Sequence, residues 1–142
     1  EEEAADMRCG IDIIRIERIK RAVDRGGQRF LERVFTPAEL SICERSLQRL
    51  AGRFAAKEAV SKALGTGFWS KGVGLQDLEI LSSESGEPEL HLHGAALARY
   101  RELEVKDLAL SISHEKEYAV AVCVLNTARL HPGAEAELID NE

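Results

Sequence analysis

The stretch Arg49-Leu-Ala-Gly-Arg-Phe-Ala-Ala-Lys-Glu-Ala-Val-Ser-Lys-Ala-Leu-Gly65 organises the rest of the chain. It has no proline and one internal glycine, Gly52, and it is rich in Ala, Leu, Lys, Glu and Arg. It therefore reads as a helix, closed by Gly65 and Gly67. At about 100° per residue, Gly52, Ala55, Ala56, Ala59 and Ala63 fall on one narrow side. Side chains that small admit another backbone. Arg53, Lys57, Glu58, Ser61 and Lys62 spread over the opposite half, with Phe54 among them, and are expected to present charge and a hydroxyl to something polar. An ordinary solvated face with a Glu58–Lys62 i,i+4 pair accounts for the pattern equally well.

A chain of 142 residues fits one domain with an ordinary core, and its apolar and charged fractions are those of a soluble globular protein. No segment reads as a membrane span or a signal peptide. The three cysteines lack metal-ligand spacing. Cys9 and Cys123 sit in apolar runs, so buried reduced thiols and a cytoplasmic location are expected. Residues 1–6 carry −4 and residues 127–142 carry −3, so of the formal −6 the span 7–126 holds +1. The acidic balance thus belongs to the two ends, read as an acidic leader (1–6) and an acidic tail (127–142) around one domain (7–126).

Arg8–Ile14 reads as a strand in which Asp12 stands among Ile11, Ile13 and Ile14. An acid in such a run is costly unless paired, hydrogen-bonded or metal-bound; capping the next helix is the plain structural alternative. An amphipathic helix from Arg15 to about Arg25 breaks at Gly26-Gly27, and a helical piece, Gln28–Val34, follows. Residues 15–33 hold seven cations against three acids. A one-signed excess on a nearly neutral domain favours an anionic partner, and with few aromatics interleaved, stacking on single-stranded nucleic acid is the weaker option.

Thr36-Pro-Ala-Glu39 has the form of a capping box opening a helix to about Ser46, a structural role. Gly65–Gly74, with Phe68, Trp69 and Lys71, lacks the spacing of a phosphate-binding loop. Strands are expected at Leu75–Ser82 and Glu89–His93, a short helix at Gly94–Leu103, and a hairpin from Asp107–His114 and Tyr118–Leu125. His91 and His93 share a face that reads as solvent-exposed. The last strand is apolar on both faces and is expected to be buried on both. The order β-α-α-α-β-β-α-β-β indicates an α+β fold with an antiparallel sheet and a long central helix.

Seven runs in this order resemble those of the bacterial holo-acyl-carrier-protein synthases, a family of 4′-phosphopantetheinyl transferases. They are Gly10-Ile-Asp12-Ile; Arg29-Phe30 with Glu32-Arg33; Phe35-Thr36 with Glu39-Leu40; Leu50-Ala-Gly-Arg-Phe-Ala-Ala-Lys-Glu-Ala59; Ser61-Lys-Ala with Gly65-Thr-Gly67; Gly86-x-Pro88; and Ser111-Ile-Ser-His114 with Glu117-Tyr-Ala. The resemblance spans about residues 7–125. It implies transfer of phosphopantetheine from coenzyme A to a serine of apo acyl carrier protein in fatty-acid biosynthesis, releasing adenosine 3′,5′-bisphosphate. It further implies Mg²⁺ and a homotrimer with active sites at subunit interfaces, and neither nucleic acid nor membrane as partner. On the same ground Asp12 and Glu58 would bind Mg²⁺ and, with Lys62, form the catalytic set. Lys62 and His114 would contact the coenzyme A diphosphate, with Arg53, Gly65, Pro88 and Ser113 lining the nucleotide pocket. Arg18, Arg25, Arg29 and Phe30 would dock the carrier.

The chemistry suits the residues themselves. Mg²⁺ prefers oxygen and is held by one or two carboxylates plus substrate phosphates, which two acids from different elements provide. Glu58, directly or by way of a water, is the candidate to take the serine proton. The small face of the central helix and the doubly apolar last strand would give a trimer surfaces to bury. Two other functions use part of the pattern. A Mg²⁺-dependent hydrolase of a nucleotide diphosphate would need the acids without the basic 15–33 segment. A non-catalytic trimer capturing an acidic protein would need the segment without the acids.

Overall fold

The computed structural model describes residues 6–66 and 74–128. Strand β1 (Asp6–Arg15) leads into helix α1 (Ile16–Val34), helix α2 (Pro37–Cys43) and helix α3 (Leu47–Leu64). A 3₁₀ turn (Leu75–Asp77), strands β2 (Leu78–Ser82) and β3 (Pro88–Leu92), helix α4 (Gly94–Glu102) and strands β4 (Val105–His114) and β5 (Tyr118–Thr127) complete it. The element order agrees with the α+β reading. The strands, however, form two antiparallel sheets, β1-β5-β4 and a separate β2-β3 hairpin. The readings of the acidic leader's first five residues, of most of the glycine-rich loop and of the acidic tail fall outside the described residues.

Helix α3 is the element around which everything packs. Its small face is used within the chain. A Cβ on Gly10 of β1 would stand 2.0 Å from the Ala59 carbonyl oxygen and 2.7 Å from the Ala63 nitrogen, so only glycine lets the strand lie this close. At the other end a Cβ on Gly52 would meet Ile112 of β4 at 3.0 Å. The helix thus crosses the three-stranded sheet from the β4 edge to the β1 edge. Gly65 closes it in the left-handed conformation. Arg8 Nε donates to the Ala63 carbonyl at 2.7 Å and Arg99 Nε to that of Leu64 at 2.9 Å, satisfying two end carbonyls with cations.

The opposite face corrects the sequence expectation. Lys57 and Ser61 are buried, and Arg53 nearly so. Lys57 Nζ donates to Glu39 Oε1 (2.8 Å) and to the carbonyls of Leu75 (2.9 Å) and Leu78 (2.8 Å). Arg53 Nε donates to the Ile80 carbonyl and its Nη2 to Ser82 Oγ, both at 2.9 Å. These cations reach inward to main-chain carbonyls of the β2 segment, which a helical wheel cannot distinguish from reaching outward to water. Only Glu58 and Lys62 remain at the surface. Glu39 closes the expected capping box and does more, since its Oε2 also accepts from the Ile80 N–H at 2.9 Å.

Three further expectations shift. Helix α2 stops at Cys43 because Glu44 and Arg45 take the left-handed conformation (φ 47° and 62°), with Ser46 then capping α3; no glycine announces that stop. Cys9 is exposed, because its side chain lies on the outer face of β1. Cys43 and Cys123 are buried, and burial, with a smaller push from Cys9, holds the Cys123 thiol up at about 12. Strand β5 buries Ala119, Ala121, Cys123 and Leu125 against α3, whereas its other face is open in the single chain, with Val122 38% exposed. On α1 the expected break appears at Gly27, whose φ of 54° and ψ of −139° suit glycine.

Lys57→Met removes one partner of a buried ion pair and leaves Glu39 charged in the interior. A loss of about 3–5 kcal/mol in urea unfolding is expected. A loss below about 1 kcal/mol would show that the pair does not hold α2, α3 and β2 together.

Candidate functional site

Asp12 follows the Gly10 contact by two residues on β1, so its carboxylate falls beside the last two turns of α3. Lys62 Nζ donates to the Ile11 carbonyl at 2.9 Å and to Asp12 Oδ1 at 3.2 Å. Glu58, one turn before Lys62, completes the group. Burial first, and then the Asp12 charge, push the Glu58 carboxyl above its ordinary range; Lys62 and Arg18 pull it down without cancelling that. Two acids close enough to repel, one of them half-buried, form an incomplete cation site. Among the described residues no set of three or more His, Cys, Asp or Glu side chains could hold a metal. A hard cation that keeps waters and takes further oxygens from phosphates fits Asp12 and Glu58; a four-ligand zinc-type site does not. His91 of β3 and His93, which follows that strand, are engaged elsewhere, His91 with Glu89 at 2.7 Å and His93 with Glu79 at 3.1 Å.

Arg53, Pro88 and His114 meet in a second place. With Gly86 and Arg49 they line a hollow of about 180 Å³ at the β4 edge of the sheet. Arg49 was missed by sequence reasoning, although its position one turn before Arg53 puts both guanidiniums on one side of α3. Ser113 is not in this hollow. It pairs in register with Val120, which pairs with Ile13, so its side chain lies on the outer sheet face. Gly65 lies at the far end of α3, where an added Cβ would stand 2.5 Å from Arg8 Nη2. The residues expected at one site thus divide between the β1 edge of the sheet (Asp12, with Glu58, Lys62 and Gly65 on the second half of α3) and the β4 edge (Pro88 and His114, with Arg53 on its first half).

The third group lies on α1. Arg25, Arg29 and Phe30 line a shallow hollow of about 570 Å³ with Ala22, Gly26 and Arg33. The bend at Gly27 keeps Arg25 and Arg29 on one side. Arg18, two turns earlier, faces the acidic pair closely enough to act on Glu58. An arginine-lined surface therefore leads up to Asp12 and Glu58.

Residues 8–123 match the 4′-phosphopantetheinyl transferase superfamily. The chain belongs to that family. It is 50% identical over 115 residues to a holo-[acyl-carrier-protein] synthase of Dehalococcoides mccartyi, a match that covers 81% of this chain and 94% of that one. A holo-[acyl-carrier-protein] synthase of Halorhodospira halophila is also 50% identical, over 83% of this chain and 95% of its own. Among solved structures, the Helicobacter pylori holo-[acyl-carrier-protein] synthase in complex with coenzyme A superposes with a TM-score of 0.75 at 36% identity. That match covers 82% of this chain and 98% of that one. The α+β fold is that of the family.

Glu58→Gln gives a test of the acidic pair that needs no substrate. The folded protein binds the Glu58 proton more tightly than the unfolded chain does. The charged carboxylate therefore lowers stability as pH rises through the unfolded and then the folded pKa, and the penalty is complete above both. The variant is expected to melt higher than the wild type at pH 8 in chelator, with the difference shrinking toward pH 4. Equal differences at both pH values would remove the repulsion.

Proposed function

We propose that the chain transfers 4′-phosphopantetheine from coenzyme A to a serine hydroxyl of apo acyl carrier protein, giving holo carrier and adenosine 3′,5′-bisphosphate. The observation that carries this is the Asp12–Glu58–Lys62 group at the end of an arginine-lined helix, in a chain half identical to holo-[acyl-carrier-protein] synthases. The serine oxygen attacks the phosphorus on the pantetheine side, and the bridging oxygen leaves with the nucleotide. Glu58, directly or by way of a water, is the candidate to take the serine proton. The Lys62 ammonium stands where it offsets charge on the phosphoryl oxygens. Asp12 and Glu58 would hold Mg²⁺, whose charge would add to that of Lys62 there. The Arg53, Pro88 and His114 hollow takes the nucleotide end, and Arg18, Arg25, Arg29 and Phe30 receive the acidic carrier.

A homotrimer reconciles the two edges of the sheet. One subunit brings the acids and Lys62, and its neighbour brings the hollow. The surface that would be shared is the outer sheet face, where Met7 (71% exposed), Ile11 and Ile13 (both 62%) and Val122 form an apolar patch. The small face of α3, expected to serve the trimer, is already filled by β1. The domain of 7–126 would act in the cytoplasm, where carrier protein and coenzyme A meet; no helix among the described residues is long and apolar enough to cross a membrane.

Incubated with coenzyme A, Mg²⁺ and apo carrier, the protein is expected to add one phosphopantetheine mass to the carrier. Asp12→Asn alone should lose ~10²-fold or more of that turnover, as should His114→Ala. Refolded together, the two variants are expected to regain up to about one quarter of wild-type activity. In a randomly assembled trimer, that fraction of interfaces joins an intact Asp12 to an intact His114. No recovery would place each site within one chain.

Arg18→Glu replaces attraction with repulsion beside the entry. The apparent KM for carrier should rise ~10-fold or more, about 1.4 kcal/mol, with coenzyme A affinity nearly unchanged. Loss of coenzyme A affinity with an unchanged carrier KM would move Arg18 into the nucleotide site.

A further inference from the structure

On α1 the cations divide into two kinds. Lys20 is paired with Asp24 and Arg21 with Glu17 along the helix. Arg18, Arg25, Arg29 and Arg33 have no ion-pair partner among the described residues, and the last three surround Phe30 in the same hollow. Three such guanidiniums around an aromatic ring, with a fourth two turns away, fit a segment that alternates acids with apolar residues. This chain carries one. Glu135-Ala-Glu-Leu-Ile-Asp-Asn-Glu142 holds four acids and no base, with Leu138-Ile139 between Glu137 and Asp140. The segment lies outside the superfamily match, which ends at residue 123.

The reach is sufficient. Strand β5 ends at Thr127, whose Oγ1 donates to the Asp6 carbonyl at 3.1 Å, so the tail leaves from the start of β1. Six residues along β1 from there to Asp12 span about 20 Å. Arg18 borders that acidic group, and eleven helical residues from Arg18 to Arg29 add about 17 Å. These legs sum to about 37 Å, and the eleven residues from 129 to 139 extend as far, with residues 140–142 left to cover the step from Asp12 across to Arg18. The groove between α1 and the α2–α3 junction, lined by Val23, Leu31, Leu40 and Leu47, could take Leu138 and Ile139 but offers the four acids few cations.

We propose that residues 135–142 dock on the arginine-lined face of α1 and so compete with the carrier protein for it. The competition rests on the carrier-docking reading given above; the docking itself does not. A tethered segment needs only weak affinity, because its effective concentration is on the order of millimolar. Salt should release it, since the Debye length falls to about 3 Å at 1 M.

The test compares the full chain with a full-length variant carrying Glu135→Gln, Glu137→Gln, Asp140→Asn and Glu142→Gln. In low salt, backbone amide resonances at Arg25, Arg29, Phe30 and Arg33 should differ between the two proteins, and the differences should vanish in 1 M NaCl. With the neutralised tail, the apparent KM for apo carrier should fall about 3- to 10-fold in low salt while that for coenzyme A stays unchanged. Resonances on α1 that do not differ would overturn the docking. So would differences confined to Val23, Leu31, Leu40 and Leu47, which would seat the tail in the apolar groove. If the α1 resonances differ while the carrier KM does not move, docking stands and competition is refuted, and with it the assignment of α1 as the carrier surface.

Discussion

The position of every functional group follows from how closely β1 approaches α3. With no side chain at Gly10, the strand backbone rests on the Ala59 and Ala63 turn of the helix, and a single methyl there would overlap main-chain atoms. That contact sets the register of β1 against the helix. Two residues on, Asp12 has no choice but to face the next outward positions of α3, which are Glu58 and Lys62. Closely packed interiors transmit such constraints without slack. The acids are brought together by small residues that touch no substrate.

A helix lined with alanine on one side could still rotate about its axis, since small residues offer little relief to lock into. Polar groups on the other side prevent this. The fully buried Lys57 ammonium finds three acceptors, and Arg53 binds two more groups of β2. Turning α3 by even one residue would leave a buried cation unsatisfied, a larger penalty than any alanine contact could offset. Burying Lys57 lowers its affinity for its proton, a cost the Glu39 carboxylate and two carbonyls are there to reduce. Such a pair contributes modestly to net stability, and its stronger effect is to exclude other rotations.

Periodicity made the elements of the fold legible, because α3, the α1 break and the final hairpin each carry a local signal. The small face of α3 was equally readable, since five small residues at helical spacing have few other uses. Direction was not readable. Lys57 and Arg53 look identical on a helical wheel whether they reach water or a buried carbonyl, and the difference lies in β2, more than twenty residues away. Cys9 and the outer residues of β5 failed for a related reason. An apolar strand face demands burial, but the sequence does not say whether the cover comes from the same chain. In the site, Asp12 was conspicuous as an acid among isoleucines. Arg49 and Gly86 were not, because nothing local distinguishes a residue that lines a hollow from one that merely ends a turn.

In the proposed trimer, the division of the candidate site between the two edges of the sheet gives the open apolar face a purpose. A chain that held acids and nucleotide hollow together would need them on one edge, and α3, crossing from β4 to β1, carries Arg53 and Lys62 about 13 Å apart along its axis. Bringing the β1 edge of one chain to the β4 edge of another restores the pair, and repeating the step around a closed ring leaves no edge unused. The residues on the face that must then be covered, Ile11 and Ile13, alternate with Asp12 on the same strand. The strand that sends its acid toward the helix necessarily sends its isoleucines to the outer face, where the proposed neighbour would sit, because side chains on a strand alternate. The proposed assembly and chemistry would therefore rest on the same three residues. A substitution that slipped the register of β1 by one position would exchange the two faces and lose both at once.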